Sequence, residues 1–138
     1  MSRRLPSCYL ALLLAGAAGA WASSPKQEPE PASEYLDIKP ALIANYGGPG
    51  PIHFLKAEIS LRIGKDPGAN KKVAHHMPRI RHELVMLLSS QNEEAITSME
   101  GKEQLRNDAL AALQKIFQEE SGRPLVEDLL FTNFVVQR

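Results

Sequence analysis

The chain has 138 residues, with 16 basic and 16 acidic side chains, a formal charge of zero and one cysteine. Balanced charge excludes nucleic acid or anionic lipid as the principal partner, because both call for a basic excess. A single cysteine, Cys8, excludes an internal disulfide framework and a cysteine-ligated metal.

The first element reads as an export leader. Arg3 and Arg4 precede an uncharged run from Cys8 to Ala22, which closes on Ala20-Trp21-Ala22 before Ser23. A basic start, an apolar middle and a small-residue end predict a signal peptide over 1–22, cleaved between Ala22 and Ser23. The run has 15 residues, whereas a helix crossing hydrocarbon needs about 20. A short signal anchor is the alternative, and a membrane is a partner only if the leader is retained. Cys8 lies ahead of the apolar stretch, so it is no lipidation site. Residues 23–34 hold three prolines, three glutamates and no large apolar side chain, and predict a disordered tether.

The folded part is expected over 35–138. Tyr35 to Tyr46 predicts a first strand, with Pro40 marking an edge or a bulge. Gly47-Gly48-Pro49-Gly50-Pro51 predicts a reversal; neither Gly-Lys-Ser/Thr nor a helix follows to make it a phosphate loop. From Phe54 to Ile63 the apolar Leu55, Ala57, Ile59, Leu61 and Ile63 alternate with Lys56, Glu58, Ser60 and Arg62. That period belongs to an antiparallel strand with one covered face.

Asp66-Pro67 is expected to open a helix whose apolar positions are Val73, Met77, Ile80, Leu84, Leu87 and Leu88, kinked at Pro78 and ending near Ser89. The run Leu84 to Leu88 predicts burial on most sides there. After a polar link at 90–96, Thr97 and Glu100 have the spacing of a capping box. Leu105, Ala109, Ala112, Leu113, Ile116 and Phe117 then predict a second helix, stopped by Ser121-Gly122 and Pro124. Val126 to Gln137 carries apolar bulk at both parities and predicts a last strand, central in its sheet. The fold class expected is α+β: a small, mainly antiparallel sheet of about three strands with two helices packed on one face.

Catalytic chemistry finds little purchase in these elements. His75 and His76 diverge by about 100° on a helix, and His75 and His82 stand about 10 Å apart along it, so neither pair holds one metal ion. The acidic pairs Glu93-Glu94, Glu119-Glu120 and Glu127-Asp128 fall at helix ends and turns, as solvent-facing groups. No serine lies in a nucleophile elbow or an SxxK spacing. The reading is a non-enzyme with no catalytic, cofactor-binding or metal residues, no cofactor and no small-molecule substrate. A protein-contact surface is expected instead, with His75, Arg79, His82, Lys102 and Arg106 as its candidate residues.

Three segments, in order and at characteristic distances, carry a family likeness: Met77-Pro78-Arg79-Ile80-Arg81 running into Leu87-Leu88-Ser89-Ser90, then Glu100 to Arg106, then Leu130 to Gln137. Together they resemble the flagellar basal-body-associated FliL family over residues 35–138. The resemblance implies a periplasmic domain similar to the core of stomatin- and prohibitin-type proteins, at or near the inner membrane and the flagellar basal body. It also implies no catalysis, flagellar stator or basal-body proteins as partners, a homo-oligomeric ring, and support of torque and swarming. Glu100-Gly101-Lys102 corresponds to the family's second-helix start and Phe131–Gln137 to its closing core strand. Family members carry a full membrane-spanning helix before this domain, which the 15-residue run does not match. The alternative is a soluble periplasmic binding or envelope-scaffold module that shares the fold without the flagellar role.

Overall fold

Residues 34–138 are described by a computed structural model. They form β1 (Glu34–Tyr46), β2 (His53–Ile63), α1 (Ala69–His75), α2 (Met77–Ser89), α3 (Glu93–Thr97), α4 (Met99–Ser121) and β3 (Val126–Gln137). The leader, its Ala22–Ser23 junction and residues 23–33 of the tether lie outside the described residues.

The strands make one antiparallel sheet in the order β1-β2-β3. The α+β expectation holds, but the position of the last strand does not: β2 is central and β3 is an edge. The physical reason lies in two bulges. On β3, Glu127 is an extra residue between the pairs Arg62/Asp128 and Ile63/Val126, and Thr132 is extra between Glu58/Asn133 and Ile59/Phe131. Each bulge inverts the side-chain alternation, so Val126, Leu129, Phe131, Phe134 and Val136 all face the helices although their sequence spacing mixes odd and even steps. Apolar bulk at both parities therefore arises from a bulged edge strand and not from a strand covered on both faces.

β1 is irregular differently. Ile38 pairs with Ile59 and Leu42 with Ala57, so two extra residues are accommodated around Pro40, which follows a cis peptide bond. An even insertion preserves parity, and Ile38, Leu42, Ala44 and Tyr46 all stay buried. The expected bulge at Pro40 is present.

The alternating face of β2, Leu55 to Ile63, is fully buried and forms the floor of a single core. α2 lies over β1 and α4 over β3, contributing Ile80, Leu84 and Leu88 from one helix and Leu105, Ala109, Leu113, Ile116 and Phe117 from the other. The opposite sheet face is not uniformly wet: Ser60 is only 6% exposed and donates to Asp37 Oδ1 of β1.

Helix boundaries depart from expectation at the prolines and caps. The first long helix is two helices. Gly68, in the left-handed region, is the N-cap of α1, and the Ala69 N–H donates to the Asp66 carbonyl, so Pro67 precedes the helix. The chain breaks again at His76 and restarts with Pro78 in the first turn of α2, where a missing N–H costs nothing. A kink is thus resolved as a stop and a start. The run Leu84–Leu88 is buried on one side only, with Met86 pointing to solvent.

The polar link contains α3. Asn92 caps it, its side chain accepting from Ala95 N–H at 2.8 Å, and Ile96 is fully buried. The capping box predicted at Thr97 is displaced by one residue. Ser98 is the cap of α4, its Oγ accepting from Gly101 N–H at 3.0 Å, while Thr97 Oγ1 donates to the Glu93 carbonyl. Gly122 ends α4 in the left-handed conformation, at the predicted stop. Among the described residues no helix is long and apolar enough to cross a membrane.

Candidate functional site

A three-stranded open sheet has two edges, and each presents unpaired backbone groups unless something covers them. The middle of the β1 edge is guarded. Lys39, Pro40 and Ala41 bulge out of register, Pro40 has no N–H to offer, and Arg81 Nη1 of α2 donates to the Pro40 carbonyl at 2.5 Å. The start of β3 is guarded from above by α4: Gln114 Nε2 donates to the Val126 carbonyl at 3.0 Å and Arg106 Nη1 to Asp128 Oδ1 at 2.6 Å.

Beyond Leu129 this cover ends. From Leu130 onward the β3 edge borders an open groove of about 580 Å³, lined by Met99, Lys102, Glu103 and Arg106 of α4 and by Leu130, Phe131 and Phe134 of β3. The Phe131 and Phe134 rings meet edge to face with centroids 5.2 Å apart. Lys102 Nζ sits 5.4 Å from the Phe134 centroid, a cation over an aromatic face. Met99 at the helix start is 83% exposed. On the other sheet face Leu130 and Val135 are also exposed, at 38% and 41%. Apolar side chains therefore flank this free backbone on both sides.

Of the residues expected on a contact surface, Lys102 and Arg106 belong to this groove. Arg106 spans it, bonding Glu103 and Asp128, so the α4 start is tied to β3 by one guanidinium. The Arg106 hydrogen bond holds the Glu103 carboxyl below the usual glutamate range, aided by Coulomb attraction and opposed by desolvation; the Arg106 pKa rises in turn, chiefly through that same bond. A depressed carboxyl pKa adds stability that is fully present above the ordinary glutamate value and is lost as pH falls through the lower folded one. We expect Glu103→Gln to lower the neutral plateau of a urea-midpoint-against-pH curve slightly and to converge with the parent at acid pH, which flattens the acid limb. An unaltered acid limb would refute the assignment.

His75, Arg79 and His82 lie elsewhere. Arg79 bonds Glu120 and Glu119 at the far end of α4, about 20 Å along the helix from Arg106. His75 ends α1 and its ring meets that of His76 at 5.1 Å, while His82 is exposed on α2. The five residues thus form two groups at opposite ends of the helix layer.

The acidic pairs are solvent-facing, as expected, apart from half-buried Asp128, and most of them also carry an ion pair. Glu119 and Glu120 take Arg79, Glu127 lies 3.4 Å from Arg62, Asp128 takes Arg106, and Glu93 meets Arg138 at 2.8 Å. Among the described residues no three His, Cys, Asp or Glu side chains converge as a metal-binding group. What sequence reasoning missed is the groove, because Phe131 and Phe134 fall at the spacing that a bulge disguises; the only signal was an aromatic pair three apart in a strand.

The family model described as "Flagellar basal body-associated protein FliL" matches residues 35–137, from the start of β1 to the end of β3. A curated relative, "Flagellar protein FliL" of Aquifex aeolicus (strain VF5), is 28% identical over 118 residues, covering 83% of this chain and 68% of its own length.

Proposed function

Because the chain belongs to the FliL family of flagellar basal body-associated proteins, we propose that it is a non-enzymatic periplasmic protein that supports the flagellar stator through protein contacts. The observation that carries this reading is the extent of the family match, which takes in all three strands and all four helices. In this reading residues 1–22 export the chain, the Pro/Glu-rich stretch over 23–34 is a spacer, and the domain over 35–138 works near the inner membrane.

Two surfaces divide the contacts. His75, Arg79 and His82, at one end of the helix layer, face stator or basal-body partners. Lys102 and Arg106, at the other, border the groove through which copies of the chain associate. Mixed charge and exposed apolar side chains suit such contacts better than they suit a small-molecule pocket.

Deletion of the gene tests the role. The expected result is impaired swarming and lowered motor torque at high load, restored by the intact gene, with recovery of the protein alongside stator or basal-body components. Unchanged swimming and swarming at every load would sink it, as would co-purification with unrelated envelope proteins alone. Intact mass from a periplasmic extract reports whether the chain starts at Ser23, as the export reading requires.

A further inference from the structure

We propose that α1 is a hinged flap: it swings off the core at Gly68 and His76 while the sheet and the other helices stay folded, and so carries His75 away from Arg79. The contact role of those two residues belongs to the reading above, whereas the opening stands on geometry of its own.

Local opening begins in elements with little to hold them. An isolated helix shorter than about 12–15 residues is marginal in water, and α1 has seven. It also lacks the devices that start the other helices. Asn92 caps α3, Ser98 caps α4 and Pro78 lies in the first turn of α2, whereas Gly68 brings no side chain to the first N–H groups of α1. No acid stands in that first turn to offset the positive helix end, and Lys71 stands there instead. Lys72 and His75 favour only the last turn.

Packing adds a modest hold. Ala69 and Val73, at 2% and 0% exposure, are the residues that α1 buries, while α4 buries five between Leu105 and Phe117. Withdrawing one alanine and one valine from the core therefore costs far less than withdrawing the α4 stripe. The polar ties of α1 and its leading loop lie at the surface: Asn70 Nδ2 donates to Glu34 Oε1 at 2.5 Å, and Arg123 reaches Asp66 at 3.0 Å. Exposed contacts of this kind restrain a segment weakly.

Both ends of the segment are suited to turning. Gly68 stands at φ 75°, a conformation that glycine enters and leaves without a Cβ penalty, and no atom lies within 4 Å of where a Cβ would be. His76, at φ −89° and ψ 10°, separates α1 from α2, and its ring meets Phe117 edge-on at 5.9 Å. That contact fastens the far hinge to α4 and confines the motion to the stretch between the hinges. Opening bares the seat of Val73 and takes His75 with it, while Arg79 stays on α2, bonded to Glu119 and Glu120. A partner that needs His75 and Arg79 together selects the closed form.

Thiol labelling measures the opening. In the full chain carrying Cys8→Ser, Ala69→Cys places a thiol on α1 and Ala109→Cys places one on α4, at alanines that are 2% and 1% exposed. Dithionitrobenzoate reaches a buried thiol when its element opens. The Ala69→Cys protein should be labelled at least about a hundredfold faster than the Ala109→Cys protein, at a rate nearly insensitive to low urea, because a flap exposes little surface. Lys71→Glu puts a carboxylate in the first turn and should slow labelling of the Ala69→Cys protein about two- to fivefold. Ile96→Val, on α3 beside the start of α4, should speed labelling on α4 about two- to tenfold through global unfolding and leave α1 unchanged.

Equal labelling of the two proteins, or a shared response to Ile96→Val, would show that α1 opens only with the whole domain and would overturn the flap. Labelling of the Ala69→Cys protein at the rate of a free thiol would overturn it too, as the mark of a helix that never closes. If either cysteine form melts differently from the Cys8→Ser chain by circular dichroism, hydrogen exchange of the unsubstituted chain decides. There the amides from Lys72 to His76, which close the turns of α1, should exchange as one group at least about a hundredfold faster than those from Leu105 to Phe117, and a common rate refutes the proposal. Because none of these measurements involves a partner or motility, a failed flap and a failed flagellar role are distinguishable.

Discussion

Gly101→Ala is expected to destabilise the protein by about 3 kcal/mol or more, against the sign that helix propensity alone would give. Alanine is favoured over glycine inside a helix by about 1 kcal/mol. Here a Cβ on Gly101 would stand 2.2 Å from the Ala95 carbonyl oxygen and 2.6 Å from its Cα. Both are backbone atoms of α3, fixed by the Asn92 cap and by buried Ile96, so they cannot swing aside as a side-chain tip would. Relief requires moving α3 off the first turn of α4, which also disturbs the Ser98 cap on Gly101 N–H. Overpacking costs about 1–3 kcal/mol where neighbours can shift, and more where they cannot. The melting temperature should fall by roughly 12–24 °C, at about 4–8 °C per kcal/mol for a domain of this size. A Gly101→Ala protein as stable as the parent would show that the α3–α4 corner is looser than described.

The second large effect is expected at Phe117. Its side chain, on α4, is fully buried in the core, with the His76 ring edge-on at 5.9 Å. Phe117→Ala removes most of a ring from the place where α4 meets the α1–α2 break, and should cost about 3–5 kcal/mol in loss of transfer energy and in cavity formation. Against a total stability of about 5–15 kcal/mol this approaches unfolding. Met99→Ala provides the contrast within the same helix: with its side chain in solvent, the change should stay within about 0.5 kcal/mol. Urea unfolding of the three proteins side by side measures both. Equal midpoints for the Phe117 and Met99 variants would refute the placement of the α4 stripe.

How much of this was legible in the sequence depends on whether parity or period stayed intact. β2 keeps strict alternation over the nine residues Leu55–Ile63 and was readable as it stands. The α4 stripe from Leu105 to Phe117 keeps helical period and was equally plain. β3 was legible as a strand but not in its position, because two single-residue bulges scatter one face over both parities. The α1–α2 break was signalled by Pro78, yet its local resolution depends on tertiary packing: His76 leaves the helix where its ring meets Phe117. The cap of α4 was misplaced by one residue since the hydroxyl oxygens of Thr97 and Ser98 are chemically equivalent acceptors for a capping bond. Only the backbone of Ser98 is extended, at φ −78° and ψ 154°.

The candidate site was less legible. Lys102 and Arg106 were marked as charged helix positions, but what distinguishes them is the aromatic pair beside them, and sequence distance hides that neighbourhood. Arg106 and Asp128 are 22 positions apart and yet bonded. The guarding of one edge and not the other rests on the Arg81–Pro40 contact between α2 and β1, 41 positions apart, which no local pattern announces.

That one-sided guarding limits how sheets of this protein can grow. Adding a strand to an edge normally creates a fresh edge, and the process repeats as fibre growth. With β1 interrupted at Pro40, a strand added at β3 would not be matched by an equally regular ladder on the far side of the sheet, and repeated addition would be opposed there. The proline and the arginine at Pro40 and Arg81 thus bear on solubility, and exchanging both for residues that restore a regular ladder would leave two open edges where there is now one.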